Sequence, residues 1–156
     1  MERETLLCID PGGKGGDTGI VMIEYGDNMP ARAFFSRVVS NGFEGFIDDR
    51  TFSFAGYHPD HVVCETFVNR NIPGADLTPI LIEGAVRWIF SYPGKLTLSP
   101  AAGKNSMVTD EVLKKMDMWF PGDHHHDRRE AARHGLIWLK NVKKHRPTLE
   151  AMYGHG

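Results

Sequence analysis

Cysteine is nearly absent: the 156-residue chain has two, Cys8 and Cys64, each inside a short apolar run. That excludes a disulfide framework and reads as two buried, reduced thiols. Long hydrophobic runs are missing too, none approaching the roughly 18 residues a membrane span needs. The opening Met1-Glu2-Arg3-Glu4-Thr5 has neither the basic nor the apolar stretch of a secretion signal. Together these absences set the expectation of a cytoplasmic protein with no membrane partner. Charge of one sign is lacking as well; the net value of −2 does not advertise nucleic-acid binding, so the distribution of charge must decide that question. Repeats, linkers and low-complexity segments are absent, and so is the Gly-x-x-x-x-Gly-Lys-Ser/Thr pattern, which removes the P-loop enzymes.

What is present suffices for a core. A 41% hydrophobic share with nine Phe and three Trp, in a chain of this size, predicts one domain spanning residues 1–156. Residues 5–10 and 18–25 read as paired buried strands around a Gly-rich turn, and 31–40 as a third strand. Phe43, Phe46, Ile47 and Arg50 carry helical spacing up to about Phe54. The apolar run 61–64 is a buried strand. Residues 76–90 form a helix capped by Asp76, with Pro79 in its first turn. A fifth strand covers 95–98, a short helix opened by Thr109 covers 109–116, and a long final helix covers 125–144.

Acidic residues stand at telling places in this pattern. Asp10 ends the first strand beside open backbone, and Glu65 ends the strand His61-Val62-Val63-Cys64. Asp127 and Glu130, three apart, share one helix face. If these meet, four carboxylates crowd one pocket, and like charges about 4 Å apart repel by roughly 4 kcal/mol at an effective dielectric of about 20. Such a cluster calls for cations, and hard oxygen donors select Mg²⁺, with Mn²⁺ as substitute. Two ions roughly 3.5–4 Å apart would activate water on one side of a phosphodiester and stabilise the leaving oxygen on the other.

The ordered motifs resemble those of the RuvC-type Holliday junction resolvases. Ile9-Asp10-Pro11-Gly12 followed by Thr18-Gly19 is similar to the family's opening motif, with a slightly longer loop. Cys64-Glu65-Thr66-Phe67-Val68-Asn69-Arg70-Asn71 resembles its second motif. Ser99-Pro100-Ala101-Ala102-Gly103-Lys104 resembles its Pro-to-Lys segment, and Asp127-Arg128-Arg129-Glu130-Ala131-Ala132 its final acidic pair. The resemblance covers most of the chain in order, and the short length suggests a phage-type member, working then in the host cytoplasm. It implies an α/β fold of the ribonuclease H-like type, a mixed five-stranded sheet flanked by helices. It further implies a metal-dependent endonuclease that nicks Holliday junctions and other branched DNA such as flaps and forks. Lys104 is implied to lie near a phosphate. A homodimer is implied, joined through the second helix with Leu77, Leu81, Gly84, Ala85 and Trp88.

Several assignments stay open at this level. The fourth ligand is Glu130, favoured because Ala131-Ala132 follows, or else His124, which pairs with Asp127 at the same spacing. His124, His125 and His126 point about 100° apart and cannot all grasp one ion. Candidate DNA contacts are Lys14, flanked by four glycines, then Asn69, Arg70, Asn71, Lys104, Arg129 and Arg133. Arg129, Arg133, Lys140 and Lys144 fall on one side of the predicted helix. Phe67 reads as core, with a stacking wedge as the alternative, and His134, near Glu130 on the helix, as a satisfied polar neighbour, with contact to water or phosphate as the alternative. Among other functions, the loop after Asp10 also resembles the phosphate loop of actin-like ATPases and sugar kinases, but those need two such domains. A nuclease for RNA–DNA hybrids and a non-catalytic branched-DNA-binding module remain as alternatives.

Overall fold

The computed structural model describes residues 2–12, 16–49, 58–67, 73–90, 94–122 and 125–154, with His125 through its backbone alone. Three strands, β1 (Arg3–Asp10), β2 (Thr18–Gly26) and β3 (Met29–Val39), form an antiparallel meander. Helix α1 (Gly42–Asp48) follows, and β4 (His61–Thr66) then returns parallel to β1. After α2 (Thr78–Ile89), β5 (Leu96–Pro100) joins parallel to β4, giving the order β3-β2-β1-β4-β5. The chain finishes with α3 (Lys104–Met107), α4 (Asp110–Lys115), α5 (His125–Asn141) and α6 (Arg146–Tyr153).

The central strand shows why its apolar run is unbroken. Leu6, Leu7, Cys8 and Ile9 are all fully buried, and side chains alternate between faces along a strand. Leu6 and Cys8 pack with Leu136 and Leu139 of α5, while Leu7 and Ile9 pack with Phe46 of α1 and with Ile82 and Val86 of α2. A strand covered on both sides needs apolar residues at every position. Cys8 and Cys64 are free thiols within these two layers.

Helix α5 lies unusually close to the sheet. A Cβ on Gly135 would stand 2.4 Å from Cys8 Sγ, so only glycine permits this packing at that position. Ala131 and Ala132, also fully buried, extend the small-residue contact surface.

Three boundaries differ from the sequence reading. The final helix stops at Asn141 instead of Lys144, because Lys144 takes a left-handed backbone (φ 52°). A separate α6 follows, with Pro147 in its first turn, where a missing N–H does no harm. It is tied to the sheet: Ala31 N donates to Thr148 Oγ1 at 2.9 Å, and His145 Nε2 lies 2.9 Å from the Gly26 carbonyl. Helix α1 ends at Asp48 rather than near Phe54, with 50–57 outside the described residues. Asp76 does accept the Thr78 N–H at 3.0 Å, but the helix itself begins at Thr78. No helix among the described residues is long and apolar enough to cross a membrane.

Candidate functional site: an acidic edge of the sheet

The β1/β4 register pairs Ile9 with Cys64, so the next residues, Asp10 and Glu65, emerge side by side at one edge. Pleating turns both toward α5, the face that also takes Cys8 and Val63. On the other side of β1, Asp10 pairs with Gly19 of β2. A Cβ on Gly19 would lie 2.0 Å from the backbone oxygen of Asp127. That bare backbone contact seats the first turn of α5 over the end of β1 and brings Asp127 to the same edge.

The electrostatics follow from this crowding. The Asp10 carboxyl is pushed well above its usual range by burial, then by the charge of Glu65 and a hydrogen bond with it; Lys104 opposes this and Asp127 adds to it. Glu65 goes the other way. Burial alone would raise it, but the bond and charge of His134 and the ammonium of Lys104 outweigh burial and hold it down at about 2. Two neighbouring carboxyls driven apart in acidity share a proton in the absence of a cation.

Lys104, the first residue of α3, sits at the centre of the cluster. Its Nζ lies 3.1 Å from Glu65 Oε2 and 2.7 Å from Glu130 Oε2. These carboxylates outweigh its partial burial and raise it further. Glu130, one turn beyond Asp127, also accepts from Arg133 Nε at 3.3 Å. It is therefore held by two cations, whereas Asp10, Glu65 and Asp127 gather at the sheet edge. As the side chains stand, no three His, Cys, Asp or Glu among the described residues form a ready cage for a metal ion. The donor set nonetheless suits a divalent cation. It offers hard carboxylate oxygens, an acid pair whose repulsion a cation relieves, and an ammonium already standing between two of the acids.

The proposed DNA contacts fare differently. Lys14, Asn69, Arg70 and Asn71, and the alternative ligand His124, lie outside the described residues. Arg129 stacks over Trp119, 3.5 Å from the ring centre, and Lys114 approaches the same ring at 4.8 Å. Arg133 corrects the sequence reading: it is buried, and its guanidinium is taken by Glu130, the Val108 carbonyl and Asp110. Its charge is used inside the protein and is not presented to a phosphate. The expected basic helix face dissolves likewise, since Lys140 Nζ binds Met107 O and Tyr153 Oη while Lys144 lies past the helix end. Phe67 is 40% exposed rather than core, standing two residues beyond Glu65. Sequence reasoning missed the contact of Gly19 with α5, and it missed Ser99 with His134, whose bonds cross three elements.

A mixed sheet in this order, with helices on both faces and an acidic edge where β1 and β4 run parallel, is the ribonuclease H-like fold. Among solved structures, RuvC of T. thermophilus in complex with Holliday junction substrate matches with a TM-score of 0.68 and 14% identity, over 90% of this chain and 96% of that one. A further Thermus thermophilus RuvC structure matches with a TM-score of 0.60 and 16% identity, over 87% of this chain and 95% of that one. At these identities the likeness concerns the fold. No family model matches the sequence, and neither does any curated protein.

Proposed function

We propose that this chain is a divalent-metal-dependent, structure-selective endonuclease, a phage-type relative of RuvC that nicks Holliday junctions and other branched DNA. The observation carrying this is the pairing of Asp10 and Glu65 at the ends of parallel strands, with Asp127 brought beside them across Gly19. The junction-bound RuvC neighbour supports the choice of substrate. Asp10, Glu65, Asp127 and Glu130 would hold two Mg²⁺ or Mn²⁺ ions, which when bound supply Lewis acidity toward water and the leaving oxygen. The residues do the rest. Asp10, Glu65 and Asp127 would hold the ions at the sheet edge, Lys104 brings positive charge to the phosphate there, and exposed Phe67 offers a ring to an unstacked base at the branch point. Junction binding draws further on Lys14, Asn69, Arg70, Asn71 and Arg129.

The direct test incubates the protein and Mg²⁺ with a four-way junction, a flap, a linear duplex and an RNA–DNA hybrid. Preferential nicking of the branched DNAs, leaving 5′ phosphate and 3′ hydroxyl ends, is the expected result. Hybrid-only cleavage would make it a ribonuclease, and junction binding without cleavage a binding module.

The fourth ligand has its own test. Glu130→Gln is expected to slow cleavage by orders of magnitude while His124→Ala stays within a few-fold of the parent. The reverse pattern would move the ligand set one turn back along the chain.

Two symmetric strands call for two sites, and hence a homodimer. Leu77, Leu81, Gly84 and Trp88 line up along one face of α2 and its N-cap, at 100° per residue. Trp88 is 81% exposed, Leu77 and Leu81 are exposed as well, and a Cβ on Gly84 would meet nothing. Ala85 instead packs on the protein's own core. Trp88→Glu is expected to shift the protein from dimer to monomer in light scattering at micromolar concentration. Wild type running as a monomer there would end the dimer proposal.

A further inference from the structure

His134 is fully buried on α5, where it cannot touch DNA, yet it reaches the acidic edge. Ser99 and Glu65 are register partners on neighbouring strands, so their side chains leave the sheet on one face. The imidazole spans both: Nε2 lies 2.6 Å from Glu65 Oε2, and Nδ1 lies 2.6 Å from Ser99 Oγ. An ionised carboxylate can only accept, so Nε2 carries the proton. Nδ1 faces the Ser99 hydroxyl, which can accept from an N–H or donate to a lone pair. The two contacts together hold the ring with Nε2 toward Glu65 and Nδ1 toward Ser99. Lys104 Nζ reaches the same carboxylate oxygen at 3.1 Å. Both donors therefore pull on Oε2, which fixes the plane of the carboxylate and leaves Oε1 without either of them.

We propose that His134 is a positioning residue: oriented by Ser99, it locks the Glu65 side chain so that Oε1 is presented to the divalent cation. This rests on the nuclease reading above. Hydrogen-bond partners behind a ligating side chain typically set metal affinity by about 10–100-fold. A histidine that merely satisfied Ser99 in the core would alter stability and leave metal affinity alone.

The test uses the full chain and three variants. His134→Leu removes both bonds, Ser99→Ala removes only the orienting one, and His134→Gln keeps a donor for Glu65 and an acceptor for Ser99. Mn²⁺ affinity is measured by calorimetry on metal-free protein, and cleavage of a four-way junction at saturating Mn²⁺ is resolved into kcat and KM. The expected result for His134→Leu is an affinity loss of about ten-fold or more and a lowered kcat with KM unchanged. Ser99→Ala should move the same way by less, and His134→Gln should recover most of the loss. Variants that fold and match wild type in Mn²⁺ affinity and kcat would overturn the role. Should His134→Leu fail to fold, Ser99→Ala carries the decision: wild-type metal affinity in that variant would overturn it equally. A wild-type protein that neither binds Mn²⁺ nor cuts would remove the nuclease reading itself, whereas wild type doing both beside unaffected variants would remove only the part assigned to His134.

Discussion

Asp10→Asn leaves a folded protein that still binds a four-way junction but cuts it more slowly by about three orders of magnitude or more, as expected when several kcal/mol of transition-state charge stabilisation is lost. The stability of the variant separates this from simple unfolding. Folding raises the Asp10 carboxyl above its ordinary 3.8, through burial first and the Glu65 charge second. A carboxyl raised by folding favours the folded state most while protonated, and costs stability as pH climbs from its unfolded value through its folded one. The amide does not titrate. Metal-free Asp10→Asn should therefore melt above wild type at neutral pH, with the gap closing on acidification. Glu65→Gln should be equally inactive with the opposite thermal shift. The Glu65 carboxyl is held down at about 2, so its contribution is present above its unfolded 4.5 and lost as pH falls toward 2. Wild-type cutting by either variant would refute the assignment.

The second large effect comes from Gly19→Ala. Its Cβ would sit 2.0 Å from Asp127 O and 2.8 Å from Arg128 N. Both obstacles are backbone, so the start of α5 must shift as a unit. Displacing catalytic groups by about 1 Å can cost about 100-fold in rate, and forced overpacking costs about 1–3 kcal/mol in stability. Cleavage assays and thermal melts of the same preparation should show both losses. A variant with wild-type kcat would mean that Asp127 does not act at this edge.

Much of this architecture could be read from residue order. The fully apolar runs at 6–9 and 62–64 are what strands covered on both faces require, and the acids that end those strands could be paired once the two were placed side by side. Arg133 could not be judged this way. Helix α5 is buried on every side from Glu130 to Leu139, so periodicity offers no inner and outer face, and an internal guanidinium looks like a surface cation. The α6 helix was missed because eight residues after a basic stretch carry little periodic signal, although Pro147 marked its first turn. Gly19 and the Ser99–His134–Glu65 chain were illegible for another reason. Each depends on how α5 lies across three strands, a relation that appears only when the sheet register and the helix are both in place.

Crystals of the wild-type protein grown with Mn²⁺ and examined by anomalous diffraction put the central claim to its most direct test. The account predicts anomalous density bonded to carboxylate oxygens of Asp10, Glu65 and Asp127. Density confined to other residues, or none at this edge at millimolar Mn²⁺, would contradict it.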